Sequence, residues 1–150
     1  MKLAAIAVVL FALPAIAQEK ADPRDGIRKA CLDYIEGWYE GDASRMERAL
    51  HPDLAKRIVR SGPNGKSNLQ QMSALGLLQG VRAGYGKQTP KEKQQKDVTV
   101  LDVFENAASA KIVASDWIDY LHLARWNGEW KIVNVLWELK PQLSHAQNQK

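Results

Sequence analysis

Residues 97–140 read DVTVLDVFENAASAKIVASDWIDYLHLARWNGEWKIVNVLWELK. Four segments in this stretch, 98–104, 108–114, 117–126 and 130–139, alternate apolar with polar residues and are rich in β-branched and aromatic types. Period-two patterning of this composition is a strand signal. Glu105-Asn106 separates the first pair and Asn127-Gly128 the last. Asn-Gly tolerates the positive φ angles of a tight hairpin turn. The stretch therefore predicts a four-strand antiparallel meander. A sheet this apolar needs one face covered, and the cover has to come from the residues before it.

Those residues supply helices. The span 25–40 places Ile27, Ala30, Cys31, Tyr34, Ile35 and Trp38 three and four apart, with Asp25 as N-cap and Gly41-Asp42 as stop. A short helix follows over 43–50 and ends at His51-Pro52; 54–60 reads as a short strand, and 61–65 as a loop. A third helix is predicted over 67–84, with Leu69, Met72, Leu75, Val81 and Tyr85 inward. It carries Gly76, Gly80 and Gly84 at intervals of four, which either lets another backbone approach or leaves room for a ligand. Residues 87–96 form a polar linker around Pro90. The predicted class is α+β: about three helices packed on one side of a curved antiparallel meander, with a pocket between the layers.

The chain has 150 residues, one cysteine and a formal net charge of +4. Residues 1–17 read as a secretory signal: Lys2 is the positive start, 3–13 the apolar run, and Ala15-Ile16-Ala17 the cleavage site. Cleavage after Ala17 gives a protein of about +3, exported to the periplasm or the medium, with no membrane attachment afterwards. A polar tail over 18–24, the domain over 25–140 and a second polar tail over 141–150 complete the division. Cys31 has no partner for a disulfide; it reads as a buried thiol or as a reactive or intermolecular cysteine. The basic residues of 87–96 lack the aromatic interleaving of a nucleic-acid surface, so no nucleic-acid partner is expected. Asp116 and Asp119 lie three apart on a strand, hence on opposite faces, and no histidine spacing suits a metal. Gly62 to Ser67 misses phosphate-loop spacing because Arg60 stands where the first glycine belongs. Neither metal nor cofactor is expected.

Tyr34-Ile35-Glu36-Gly37-Trp38-Tyr39-Glu40-Gly41-Asp42, followed by Leu50-His51-Pro52-Asp53-Leu54, resembles the opening of the nuclear-transport-factor-2-like (NTF2-like) superfamily, which includes SnoaL-like and ketosteroid-isomerase-like cones. The segments 116–123 and 130–137 resemble its branch called Putative lumazine-binding, and the likeness spans 27–139. The resemblance implies a cystatin-like cone whose pocket is lined by the first helix and the last strands. Counted from the shared Gly-Asp, Tyr34 falls on the oxyanion-binding tyrosine of the isomerase relative. Counted back from the Asn-Gly turn, His122 falls on its oxyanion aspartic acid. Its proton-transfer base falls on Ile58, which takes no proton and argues against isomerase chemistry.

Alternation from His122 puts Ile118, Tyr120, Ala124 and Trp126 inward with it, and Val133, Val135, Trp137 and Leu139 on one face of the last strand. Tyr120 and Trp137 would then flank a flat aromatic or hydrophobic ligand, with Tyr34, Trp38, His51 and His122 completing the site. His51 also reads as a loop brace. The leading expectation is an exported, non-catalytic small-molecule-binding domain. One alternative is a dehydratase-like enzyme using His122 with Tyr34. The other is a homodimeric interaction module pairing through an outer sheet face of Trp117, Leu121, Leu123 and Leu136.

Overall fold

Asp22 opens the folded chain by accepting a hydrogen bond from the Arg24 amide at 2.9 Å through Oδ1, with Pro23 in the first turn. The N-cap thus lies three residues before the expected Asp25, and helix α1 runs Pro23–Glu40, ended by Gly41 in the left-handed conformation. The structure, a computed structural model, describes residues 22–62 and 64–141. The expected signal over 1–17, most of the expected tail over 18–24 and most of that over 141–150 lie outside these. No helix among the described residues is long and apolar enough to cross a membrane.

After α1 come α2 (Ala43–Ala49), β1 (Leu50–Ser61), β2 (Ser67–Ser73), α3 (Ala74–Arg82), β3 (Lys96–Phe104), β4 (Ala107–Ala114), β5 (Trp117–Trp126) and β6 (Glu129–Leu139). Two short 3-10 turns, Tyr85–Gln88 and Lys91–Lys93, sit in the linker. Three helices pack on one six-stranded mixed sheet of order β2-β1-β6-β5-β4-β3, as α+β requires. The meander β3 to β6 is antiparallel as the sequence predicts, and β1 adds to β6 in parallel.

The third helix is shorter than its spacing suggests. Residues 67–73 form β2, paired with β1 from Ala55↔Ser73 to Ser61↔Ser67. Leu69, Met72, Leu75 and Tyr85 are exposed; Val81 faces the core as expected, and Ala74, Leu77 and Leu78 join it there. A spacing of three fits a helix face in isolation; β1's unpaired amides and carbonyls decide for strand. Gly84 lies past the helix at φ +77, while Gly80 rests against the Trp38 and Tyr85 rings.

The core between the layers holds Ile27, Ile35, Met46, Ile112, Leu121, Leu123, Ile132 and Val135, all at most 2% exposed. Each such side chain contributes about 1.5–3 kcal/mol of transfer free energy. Cys31 is among them, and burial pushes its thiol up to about 12, so the buried-thiol reading holds. Polar clamps fix α1 over the sheet. Arg24 and Arg28 donate to the carbonyls of Val100 and Val98 on the β3 edge at 3.5 and 3.2 Å. Glu36 accepts from both Arg45 of α2 and Lys96 of β3.

The turn after α3 packs against α1 through Gly86. A Cβ there would lie 2.0 Å from the Trp38 carbonyl oxygen. Gly86→Ala is expected to lower stability by at least about 2 kcal/mol, because the obstacle is backbone. Urea unfolding should show this as a lower midpoint with unchanged slope.

Candidate functional site

Lys56 stands between Leu54 and Ile58 on the inward-facing positions of β1, and all three are buried. Its ammonium donates to Asp119 Oδ1 at 2.5 Å and to the Tyr34 hydroxyl at 2.7 Å. Tyr34 in turn donates to Asp119 Oδ2 at 3.2 Å, and the Trp117 indole N–H donates to the same oxygen at 2.7 Å. The carboxylate therefore accepts from β1, α1 and its own strand at once. Lys56 is 7% exposed, Tyr34 3% and Asp119 0%.

Burial is the largest influence on Lys56 and lowers its pKa, with the Asp119 carboxylate pulling the other way. Burial, and then the same carboxylate, hold the Tyr34 phenol well above the usual tyrosine range, so it acts as a neutral donor. Three half-buried tryptophans surround this polar cluster. Trp137 of β6 lies with its ring centroid 4.9 Å from Lys56 Nζ. Trp117 meets Trp38 of α1 edge-on at 6.2 Å. Tyr39 braces the neighbouring linker, donating to the Gln95 carbonyl at 2.9 Å and accepting from the Ser115 amide at 3.0 Å. The charged, hydrogen-bonded cluster is thus buried and edged by aromatic rings.

The inward face of β5 is the opposite of the one expected. Asp119 pairs with Trp137, Leu121 with Val135 and Leu123 with Ile132, and these residues face the helices. Tyr120, 47% exposed, and His122 lie on the other side of the sheet. Leu121 and Leu123 bring more apolar surface than His122 and Ala124 can, and that difference sets the face. Trp117, Leu121 and Leu123 are accordingly not on the outer face, whereas Leu136 is. On β6 the irregularity opposite His122 and Leu123 leaves Val133 off the inner set while Val135, Trp137 and Leu139 keep it.

Of the expected site residues, Tyr34, Trp38 and Trp137 come together. Tyr120 does not reach Trp137 across a pocket, and His122 hydrogen-bonds Asn134 at 3.3 Å on the far face. His122 and Tyr34 therefore cannot work as a pair. His51 sits elsewhere: its Nδ1 accepts from the Asp53 amide at 3.1 Å and its ring meets Trp126 edge-on at 4.8 Å, a loop brace. Lys56 and Asp119 are the residues the sequence reading passed over. Their signal was a charged residue centred in an apolar alternating set: Leu54-x-Lys56-x-Ile58, and Trp117-x-Asp119-x-Leu121. Among the described residues, no group of three or more His, Cys, Asp or Glu side chains could hold a metal ion.

Three helices packed on a six-stranded mixed sheet, with a polar cluster buried between the layers, fit an NTF2-like cone. Solved structures share it. An NTF2-like protein of unknown function from Shewanella baltica is 20% identical at a TM-score of 0.61, covering 79% of this chain and 94% of that one. One from Methylobacillus flagellatus is 21% identical at 0.61, covering 81% and 94%. An NTF2-like protein with a cystatin-like fold from Novosphingobium aromaticivorans is 13% identical at 0.57, covering 83% and 86%. Within that class, residues 22–138 match the family described as Putative lumazine-binding, and the chain belongs to it. None of the curated proteins matches this chain.

A buried ion pair contributes little net stability while intact and costs much when halved. Lys56→Met is expected to lose about 3–5 kcal/mol, and Lys56→Met with Asp119→Leu to recover most of it. Urea unfolding of the three chains is the check. A double variant that is no better than the single one would mean the two charges are not coupled.

Proposed function

We propose that this chain is an exported domain that binds a small flat molecule at the aromatic end of the cone and has no catalysis of its own. The observation that carries this is the Lys56–Asp119–Tyr34 cluster beneath Trp38, Trp117 and Trp137. An ammonium has three N–H donors, and Asp119 and Tyr34 occupy two. The third is the recognition element for a carbonyl or carboxylate oxygen, and the indoles supply the apolar contact. Export is supported by Lys2, the apolar run over 3–13 and Ala15-Ile16-Ala17. A periplasmic or extracellular home fits a protein with one cysteine, buried and unpaired.

Tryptophan fluorescence and thermal unfolding with a panel of pterins, flavins and aromatic carboxylates test the reading. At a ligand concentration 100 times Kd the native state should gain about 2.7 kcal/mol. Trp137→Ala should abolish that gain, and Tyr120→Ala on the opposite face should leave it. A panel that moves nothing would count heavily against binding.

A homodimer is the second reading, favoured by the outer sheet face. Tyr120 and Leu136 are cross-strand partners there, 47% and 49% exposed. Val59 and Leu69 form a second exposed pair on β1 and β2. Adjacent exposed apolar pairs mark an interaction surface. Light scattering at micromolar concentration should report two subunits, and Leu136→Arg should give one. A monomeric wild-type protein would remove this reading.

A further inference from the structure

We propose that Lys56 is a carbonyl-capturing amine, which holds an aldehyde or ketone ligand at the aromatic end of the cone as a reversible imine. This rests on the binding reading above and names the ligand class for the same site.

Lys56 is the one buried lysine among the described residues. The others that the structure describes keep their side chains in or near water. Lys56 differs in two ways that imine chemistry uses. Its burial works toward the neutral amine, against the pull of the Asp119 carboxylate. Two proton-handling groups also touch it, Asp119 Oδ1 at 2.5 Å and the Tyr34 hydroxyl at 2.7 Å. Asp119 is held in place by the Tyr34 and Trp117 donors on Oδ2, which leaves Oδ1 to serve the amine. The lysine side chain keeps 8% of its surface open, and the Trp137 ring lies beside Nζ.

The step balances without an oxidant or reductant. The Lys56 ammonium gives a proton to Asp119 Oδ1. The freed lone pair attacks the carbonyl carbon, the C–N bond forms, and the C=O π electrons move to oxygen. A proton passes from nitrogen to that oxygen, with Tyr34 within reach to relay it, giving a carbinolamine. Asp119 then protonates the hydroxyl, water leaves with the C–O electrons, and the nitrogen lone pair closes the C=N bond. An ammonium and a carbonyl have become an iminium and water, one positive charge on each side. The iminium stands opposite Asp119 where the ammonium stood. The ion pair therefore survives capture, and the charge is never left alone in the core.

The test uses the mature full-length protein, 2-naphthaldehyde and sodium cyanoborohydride at pH 7, read by intact mass and peptide mapping. Cyanoborohydride reduces the imine to a stable secondary amine, which records where it formed. The expected result is a single early adduct on Lys56, formed about tenfold or more faster than on any surface lysine. Lys56→Arg keeps the charge and should lose the adduct. Adducts on surface lysines such as Lys29 with Lys56 unmodified would overturn the proposal, and the wild-type map alone decides this if the variant does not fold. A parallel fluorescence titration with 2-naphthoate separates the two readings. Naphthoate binding without Lys56 labelling sinks the imine alone, and neither binding nor labelling sinks the binding reading with it.

Discussion

The ion pair between Lys56 and Asp119, closed by Tyr34, is the constraint on which the rest of this structure depends. It joins β1, β5 and α1 inside the core, where a charge without a partner is expensive. Each member is satisfied only when all three elements are in register. A slip of β5 by one residue would bring Tyr120 inward and put Asp119 in water, leaving the ammonium alone. Apolar packing of Leu121 and Leu123 favours the observed face in any case. The pair makes the alternative worse.

Around it the fold brings aromatic rings close to the charged cluster. Gly86 lets the linker approach the α1 backbone at Trp38, and Gly37 does the same for α2, where a Cβ would come 2.9 Å from the Met46 nitrogen. These close approaches set the height of Trp38 over Trp117. The arginines reaching the β3 edge and the Glu36 clamp hold α1 from its other side. Surface ion pairs of this kind add little stability each. Their effect here is to orient α1, whose rotation decides whether Tyr34 reaches Asp119.

Much of this was legible beforehand, and the misses are instructive. The meander, its Asn-Gly turn and the first two helices follow from local patterning, as does the resemblance of 34–42 and 116–123 to the NTF2-like class. Asn127 and Gly128 adopt the positive φ angles their types favour. Tyr34, Trp38 and Trp137 lie around the same buried cluster, while Tyr120, His122 and His51 lie elsewhere. Counting back to a known acid from a distant turn chose His122; weighing the two faces of 117–124 by apolar content would have chosen Asp119. The strand at 67–73 was misread because its few apolar residues fit either period.

The sequence by itself determined the elements whose information is local: helix stops at glycine, strand alternation, hairpin turns, and the class of fold those elements allow. Tertiary structure alone decided which face of β5 is buried, that 67–73 completes a sheet edge, and that Lys56 and Asp119, 63 positions apart, meet at 2.5 Å. The physical reason is that a charged residue in an alternating strand carries no local sign of its partner. Its burial becomes tolerable only once another element supplies the opposite charge, and that is a property of the assembled core.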